Sequence, residues 1–217
     1  MKMCHSFQSD YALQAFGDSR HLWDNPIFES DSFVVLPTVG ALVEGWLLVV
    51  PRIPFMSFGQ LPEQLFSEFE EFLSKVAQTV EEAYGPFSVF EHGAAVGSNP
   101  IGCGVDYAHM HLMPQKCDLL LAAQEIATNI DWQTISSVRE IRNHADSQRG
   151  YWFVQQTFGI TQPYLGLCKN NNPPSQLFRK AIANKLGRPL SFDWKAAAEE
   201  AVIAKTVNTL TQSSSLV

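Results

Sequence analysis

Two imidazoles two residues apart, His109 and His111, fall in the run Val105-Asp106-Tyr107-Ala108-His109-Met110-His111-Leu112-Met113, closed by Pro114. Read as a strand over Val105–Met113, the run alternates its side chains, so Tyr107, His109 and His111 share one face. Ala108, Met110 and Leu112 make the other, a face suited to a core. The imidazoles then stand roughly 6–7 Å apart along the strand. A neutral imidazole can attack phosphorus while a second one bonds the phosphate or assists the leaving group. The preceding loop, Gly93 to Gly104, holds four glycines, which let backbone amides converge on an anion. Gly102, Cys103, Gly104, Ser98 and Asn99 are its expected phosphate contacts, and His92 just before it is either a structural hydrogen-bonding group or a ligand contact. His-x-His is also half of a metal site, but only His92, Asp106 or Cys103 is near enough to complete one. The expectation is a site without metal or other cofactor that performs nucleophilic phosphoryl or nucleotidyl transfer.

The elements that must hold this face are legible in the flanking pattern. Phe33–Leu36 and Trp46–Val50 read as short buried strands, the second ended by Pro51. Leu61–Tyr84 reads as a helix with a stripe at Leu65, Phe69, Phe72, Val76, Val80 and Ala83, stopped by Gly85-Pro86. Phe87–Glu91 is a further strand. Residues 119–149 read as weakly patterned helix, Tyr151–Thr157 and Tyr164–Cys168 as a hairpin, and Gln176–Leu186 and Trp194–Leu210 as helices. Strands followed by mixed strands and helices predict an α+β fold on an antiparallel sheet. Residues 1–31 read as an irregular lead-in, 32–115 as the core unit, and 116–217 as an extension packed on that core. Arg179 and Lys180 are expected on a solvated helix face, with reach to a phosphate as the lesser reading, and Trp194 as a packing anchor rather than a base-stacking platform.

The chain of 217 residues carries a net charge of −7, which makes it a poor candidate for sequence-independent nucleic-acid binding, and no nucleic-acid partner is expected. It leaves room for a small anion held by local amides and a few cations. No stretch approaches the ~18 apolar residues of a membrane span. The start lacks the apolar run of a secretory signal. The four cysteines, at 4, 103, 117 and 168, form no C-x-x-C pair. Reduced thiols in a cytoplasmic protein are the expectation.

Residues 102–114, Gly-Cys-Gly-Val-Asp-Tyr-Ala-His-Met-His-Leu-Met-Pro, resemble the signature of the histidine triad (HIT) superfamily, His-x-His-x-His with apolar x. Gly45-Trp46-Leu47-Leu48-Val49-Val50-Pro51-Arg52, Ser57, the helix 61–84 and Phe90-Glu91-His92-Gly93 follow in the family's order. The stretch Ser175–Lys180 through Phe192-Asp193-Trp194 is similar to the C-terminal extension of larger members. The resemblance implies that His109 is the nucleophile, forming a nucleotidyl-histidine intermediate, and that His111 is the third histidine. It implies a nucleotide hydrolase or nucleotidyltransferase acting on the α-phosphate of a nucleotide or dinucleoside polyphosphate. It also implies a homodimer, unless the extension covers that interface. The sequence departs from the pattern at Tyr107 in the first triad place, at Trp46 and Pro54 where histidines are usual, at Thr38 where an acidic ribose contact is common, and at Gly104 where a Ser or Thr meets the phosphate. These departures leave a second expectation, a nucleotide-binding module with weak or no catalysis.

Overall fold

The computed structural model describes residues 22–94, 107–144, 150–170 and 173–214. Eight strands form one antiparallel sheet: β1 (Phe28–Glu29), β2 (Phe33–Pro37), β3 (Leu47–Pro51), β4 (Phe87–Gly93), β5 (Met110–Pro114), β6 (Ile130–Thr134), β7 (Tyr151–Gln156) and β8 (Tyr164–Cys168). Their order across the sheet is β1-β2-β3-β5-β4-β7-β8-β6. The expected α+β architecture is therefore present. β5 lies between β3 and β4, with His111 opposite Leu48 on one side and Phe90 on the other. β4 then pairs β7 from Ser88↔Gln156 to Gly93↔Tyr151. The segment after 116 thus continues the sheet of the segment before it as well as packing on it.

Register sorts the side chains into two layers. Phe33, Val35, Leu47, Val49, Met110, Leu112, Val89 and Phe153 point to one face. There they meet the long helix α1 (Glu63–Tyr84). Its buried stripe is Phe66, Phe69, Val76 and Val80. Relative to the expected stripe it is turned toward Phe66, which is buried, and away from Ala83, which is exposed. Phe69 explains the turn: its ring packs against Phe58 at 4.4 Å and Phe66 at 5.5 Å, an aromatic cluster that fixes the helix's rotation.

The opposite face carries Trp46, Phe90, Met113, Trp152 and Val154. Three helices contribute to the core on this side: α2 (Leu119–Ile126), α3 (Leu177–Lys185) and α4 (Glu200–Ser214). Asp118 starts α2 by accepting from the Leu121 N–H, which satisfies one of the first-turn donors. Thr206 on α4 accepts from the Gly45 N–H at 2.8 Å. Gly45 has φ +80°, and a Cβ there would strike the Tyr84 ring and Pro114 at 2.7 Å. That glycine lets the chain turn into β3 with Trp46 directed at the site.

Three boundaries differ from expectation. Residues 119–149 hold one short helix, then strand β6 and a 3-10 turn (Val138–His144), not continuous helix. Ile130-Asp131-Trp132-Gln133-Thr134 alternates at period two and pairs with β8, so the edge of the sheet claims it. Within the lead-in, Phe28–Glu29 pairs with β2, and Trp23 is fully buried. The last helix begins at Glu200 rather than near Trp194. No helix among the described residues is long and apolar enough to cross a membrane.

Candidate functional site

The central strand places His109 and His111 on the same side of the sheet, their ring centroids 5.0 Å apart and nearly perpendicular at 78°. Ordered strand begins only at Met110, so His109 stands at its lip. Ala108, Met110 and Leu112 turn into the α1 layer, as the alternation requires.

Hydrogen bonding gives the two rings opposite tautomers. His109 Nδ1 lies 2.8 Å from the Tyr107 carbonyl oxygen, which can only accept. Nδ1 therefore carries the proton, and in the neutral ring Nε2 carries the lone pair. His111 Nδ1 lies 3.1 Å from the Trp46 indole Nε1, which can only donate. Neutral His111 therefore carries its proton on Nε2. Phe90 stacks on His111 at 4.6 Å and 16°, and Trp46 meets its edge at 5.7 Å. Burial first, then the nearby His109 and Arg179, hold the His111 pKa well below 6.5, so this ring remains neutral around pH 7. One imidazole offers a lone pair and its neighbour offers an N–H.

A cavity of about 40 Å³ adjoins the pair, lined by Phe90, His92, His109, His111, Trp152 and residues 176–179 at the start of α3. His92 thus enters the site, stacked on Trp152 at 4.7 Å. Burial lowers its pKa to about 4, and it too is neutral near pH 7. Tyr107 contributes its carbonyl, while its side chain is exposed and does not line the cavity. Thr38 is buried at 3% and also lies outside the cavity lining. Gly102, Cys103, Gly104, Ser98 and Asn99 lie outside the described residues. Among the described residues no three of His, Cys, Asp and Glu come together as metal ligands would.

Two groups at this site were not expected there. Arg179 is buried, not solvated, and its guanidinium lies 4.8 Å above the Trp46 ring. Trp46, where the family pattern has histidine, supplies the hydrogen bond that sets the His111 tautomer. Trp46→Phe is expected to keep the fold and to leave His111 Nδ1, a buried acceptor, without its donor. Imidazole 15N shifts check it: His111 should lose its single-tautomer signature. Unchanged shifts would show that the indole does not set the tautomer.

No family model matches the chain, and no curated protein matches it. Solved structures similar to it include a HIT-like protein from Bartonella henselae, at 16% identity over 49% of this chain and 75% of that one, TM-score 0.37. A hypothetical histidine triad nucleotide-binding protein from Sulfolobus tokodaii matches at 14% identity over 50% of this chain and 69% of that one, TM-score 0.38. A HIT family protein from Bacillus anthracis matches at 17% identity over 49% and 71%, TM-score 0.38. These neighbours are described as proteins of the family that the motif resembles. Likeness of this extent bears on neither activity nor substrate.

Proposed function

We propose that the chain is a HIT-like enzyme that transfers a nucleotidyl group through His109, as a hydrolase or nucleotidyltransferase acting at an α-phosphate. The observation that carries this reading is the pair of opposed tautomers. The His109 Nε2 lone pair attacks phosphorus, forming an N–P bond as the bond to the leaving oxygen breaks and its electron pair departs with that oxygen. The ring becomes cationic at that moment, and its Nδ1–H bond to the Tyr107 carbonyl strengthens, which favours the transition state over the ground state. His111 donates its Nε2–H to a phosphate oxygen, as a fixed dipole aimed at developing charge. Water or another acceptor then attacks phosphorus, the N–P bond breaks, and the lone pair returns to Nε2.

His111 serves as a hydrogen-bond donor rather than a proton source. A neutral imidazole that gave up its Nε2 proton would become an anion, and Trp46 offers its Nδ1 only one hydrogen bond. His92 is likewise neutral. The described residues therefore suit a leaving group that departs as a stable anion, which favours phosphoric anhydrides over phosphoramidates of basic amines.

The test is incubation with a panel of nucleoside di- and triphosphates and dinucleoside polyphosphates, quenched under alkaline conditions. The expected result is turnover together with a nucleotidyl adduct on a peptide containing His109. Absence of both across the panel would sink the catalytic reading.

A further inference from the structure

Glu91 on β4 and Tyr151 on β7 meet on the α1 side of the sheet, away from the cavity that the histidines line. Each is 1% exposed. A carboxyl at this depth is costly unless its oxygens are answered. One is answered by the Tyr151 hydroxyl, which donates to Oε2 at 2.5 Å. The other is answered by the segment that joins β3 to α1: Oε1 accepts from the Phe58 N–H at 2.8 Å. The Tyr151 oxygen accepts from the next amide, Gly59, at 3.1 Å. Two consecutive amides of the short 3-10 turn Phe58–Gln60 are thus fastened to the sheet by side chains. Gln60 ties the segment to itself, its Oε1 accepting from the Met56 N–H at 3.1 Å. Tyr151 reaches this place across Gly93, its partner in register. A Cβ at Gly93 would stand 2.2 Å from the Tyr151 ring. The run Glu91-His92-Gly93 therefore supplies one latch residue and the space for the other.

The fastened segment holds a peptide group of the site. The Phe55 carbonyl accepts from the Ala108 N–H at 2.7 Å. That N–H belongs to the same peptide group as the Tyr107 carbonyl. In a planar trans peptide the N–H and the C=O point in opposite directions. Directing the N–H at Phe55 directs the carbonyl the other way, and there it lies 2.8 Å from His109 Nδ1. Strand β5 begins only at Met110, so this peptide lies outside the strand ladder and Phe55 supplies its grip.

We propose that Glu91 and Tyr151 are positioning residues for His109: they fasten the segment 55–60, whose Phe55 carbonyl turns the Tyr107–Ala108 peptide so that its oxygen orders the His109 ring. The consequence for turnover rests on the reading of His109 as nucleophile; the grip on the ring does not. The Nε2 lone pair is available in the neutral ring only while Nδ1 holds the proton. A loosened peptide releases the ring to the other tautomer and to other orientations. Oε1 of Glu91 can accept from Phe58 whether the carboxyl is ionised or not, and the oxygen of a glutamine can do the same.

The experiment compares Tyr151→Phe, Glu91→Leu, Glu91→Gln and Gln60→Ala in the full chain. It reads imidazole 15N shifts, and kcat and KM on whichever nucleotide the wild type turns over. Wild-type His109 should be protonated at Nδ1. Tyr151→Phe and Glu91→Leu are expected to move it toward a mixture of tautomers and to leave His111 in place. In both, kcat should fall on the order of 10–10²-fold at nearly constant KM, the scale of misplacing a reacting group by up to about 1 Å. Glu91→Gln should restore both readouts. Gln60→Ala, at a half-buried position, is expected to fold and to shift His109 the same way by less; it carries the test if the buried variants do not fold. Val76→Ala, a core truncation on α1, is the control: it should lower the melting temperature and keep the wild-type His109 tautomer. Unmoved His109 shifts in every folded variant of Tyr151→Phe, Glu91→Leu and Gln60→Ala would overturn the proposal. So would failure of Glu91→Gln to restore the tautomer, or an equal disturbance in Val76→Ala. The expected shifts in a protein without nucleotide turnover would keep the grip and remove the catalytic reading; turnover with unmoved shifts would do the reverse.

Discussion

His109→Ala is expected to lower turnover on the order of 10⁶-fold, the scale seen when a covalent nucleophile is removed. His109 is only partly buried at the lip of β5, so the melting temperature should move little. The size of the effect follows from the tautomers. His111 cannot stand in for the lost ring, because its Nδ1 is occupied by Trp46 and its Nε2 carries the proton. His111→Ala should cost less, about 10²-fold, since it removes a fixed donor and leaves the covalent route intact. The measurement is initial rate on whichever nucleotide the wild type turns over, with adduct formation followed by mass. His109→Ala retaining more than a tenth of wild-type turnover would rule out the covalent route through this residue. An equal loss in both variants, with the adduct still formed in His111→Ala, would confine His111 to a later step.

The local features of the site were legible because they depend on near neighbours in sequence. Alternation about His109 and His111 settles which side chains reach the core, and Ala108, Met110 and Leu112 are buried in the α1 layer. Pro114 closes β5. The α1 stripe was legible in period but displaced in phase, because its rotation is set by a distant aromatic, Phe58, rather than by its own spacing. Arg179 was illegible for a related reason. It lies between Phe178 and Ala181 on a helix whose burial is nearly complete, with Leu177, Phe178, Ala181, Ile182 and Ala183 all inside. An arginine in such a run reads as the solvated face until the sheet that receives it is known. The one signal available was the scarcity of polar positions on which to lay a solvated face over 177–183. Trp46 was read as a lost histidine. In the fold it serves the third histidine through its indole N–H, a role visible only once β3 is paired with β5.

Glu91→Gln is expected to make the protein markedly more acid-labile, by about 3 kcal/mol between pH 8 and pH 4.5 relative to wild type. Glu91 is next to His92 on β4 but points to the opposite layer, 1% exposed. It accepts from the Phe58 N–H at 2.8 Å and the Tyr151 hydroxyl at 2.5 Å. Burial outweighs these bonds and raises its pKa from 4.5 to about 7. A raised folded pKa means the native state holds a proton the unfolded chain has released, so this group's stabilisation is complete below pH 4.5 and is lost as pH rises through 7. His92 and His111 work in the other direction. Their folded pKa values are depressed, to about 4 for His92, so their contribution is complete above 6.5 and is lost as pH falls. Over the shared window the acid opposes the two histidines, and the wild-type stability curve is flatter than the histidines alone would make it. A shift of 4.5 to about 7 corresponds to about 3 kcal/mol at 1.36 kcal/mol per unit. Glutamine keeps the shape and offers its NH2 to the Tyr151 oxygen, but it takes up no proton. The variant should therefore match or exceed wild type at pH 8 and fall below that relation as pH drops, by the equivalent of ~6–12 °C in melting temperature for a chain of this size. Thermal melts at half-unit steps decide it: two curves that stay parallel from pH 8 to 4.5 would mean that Glu91 is ionised in the fold.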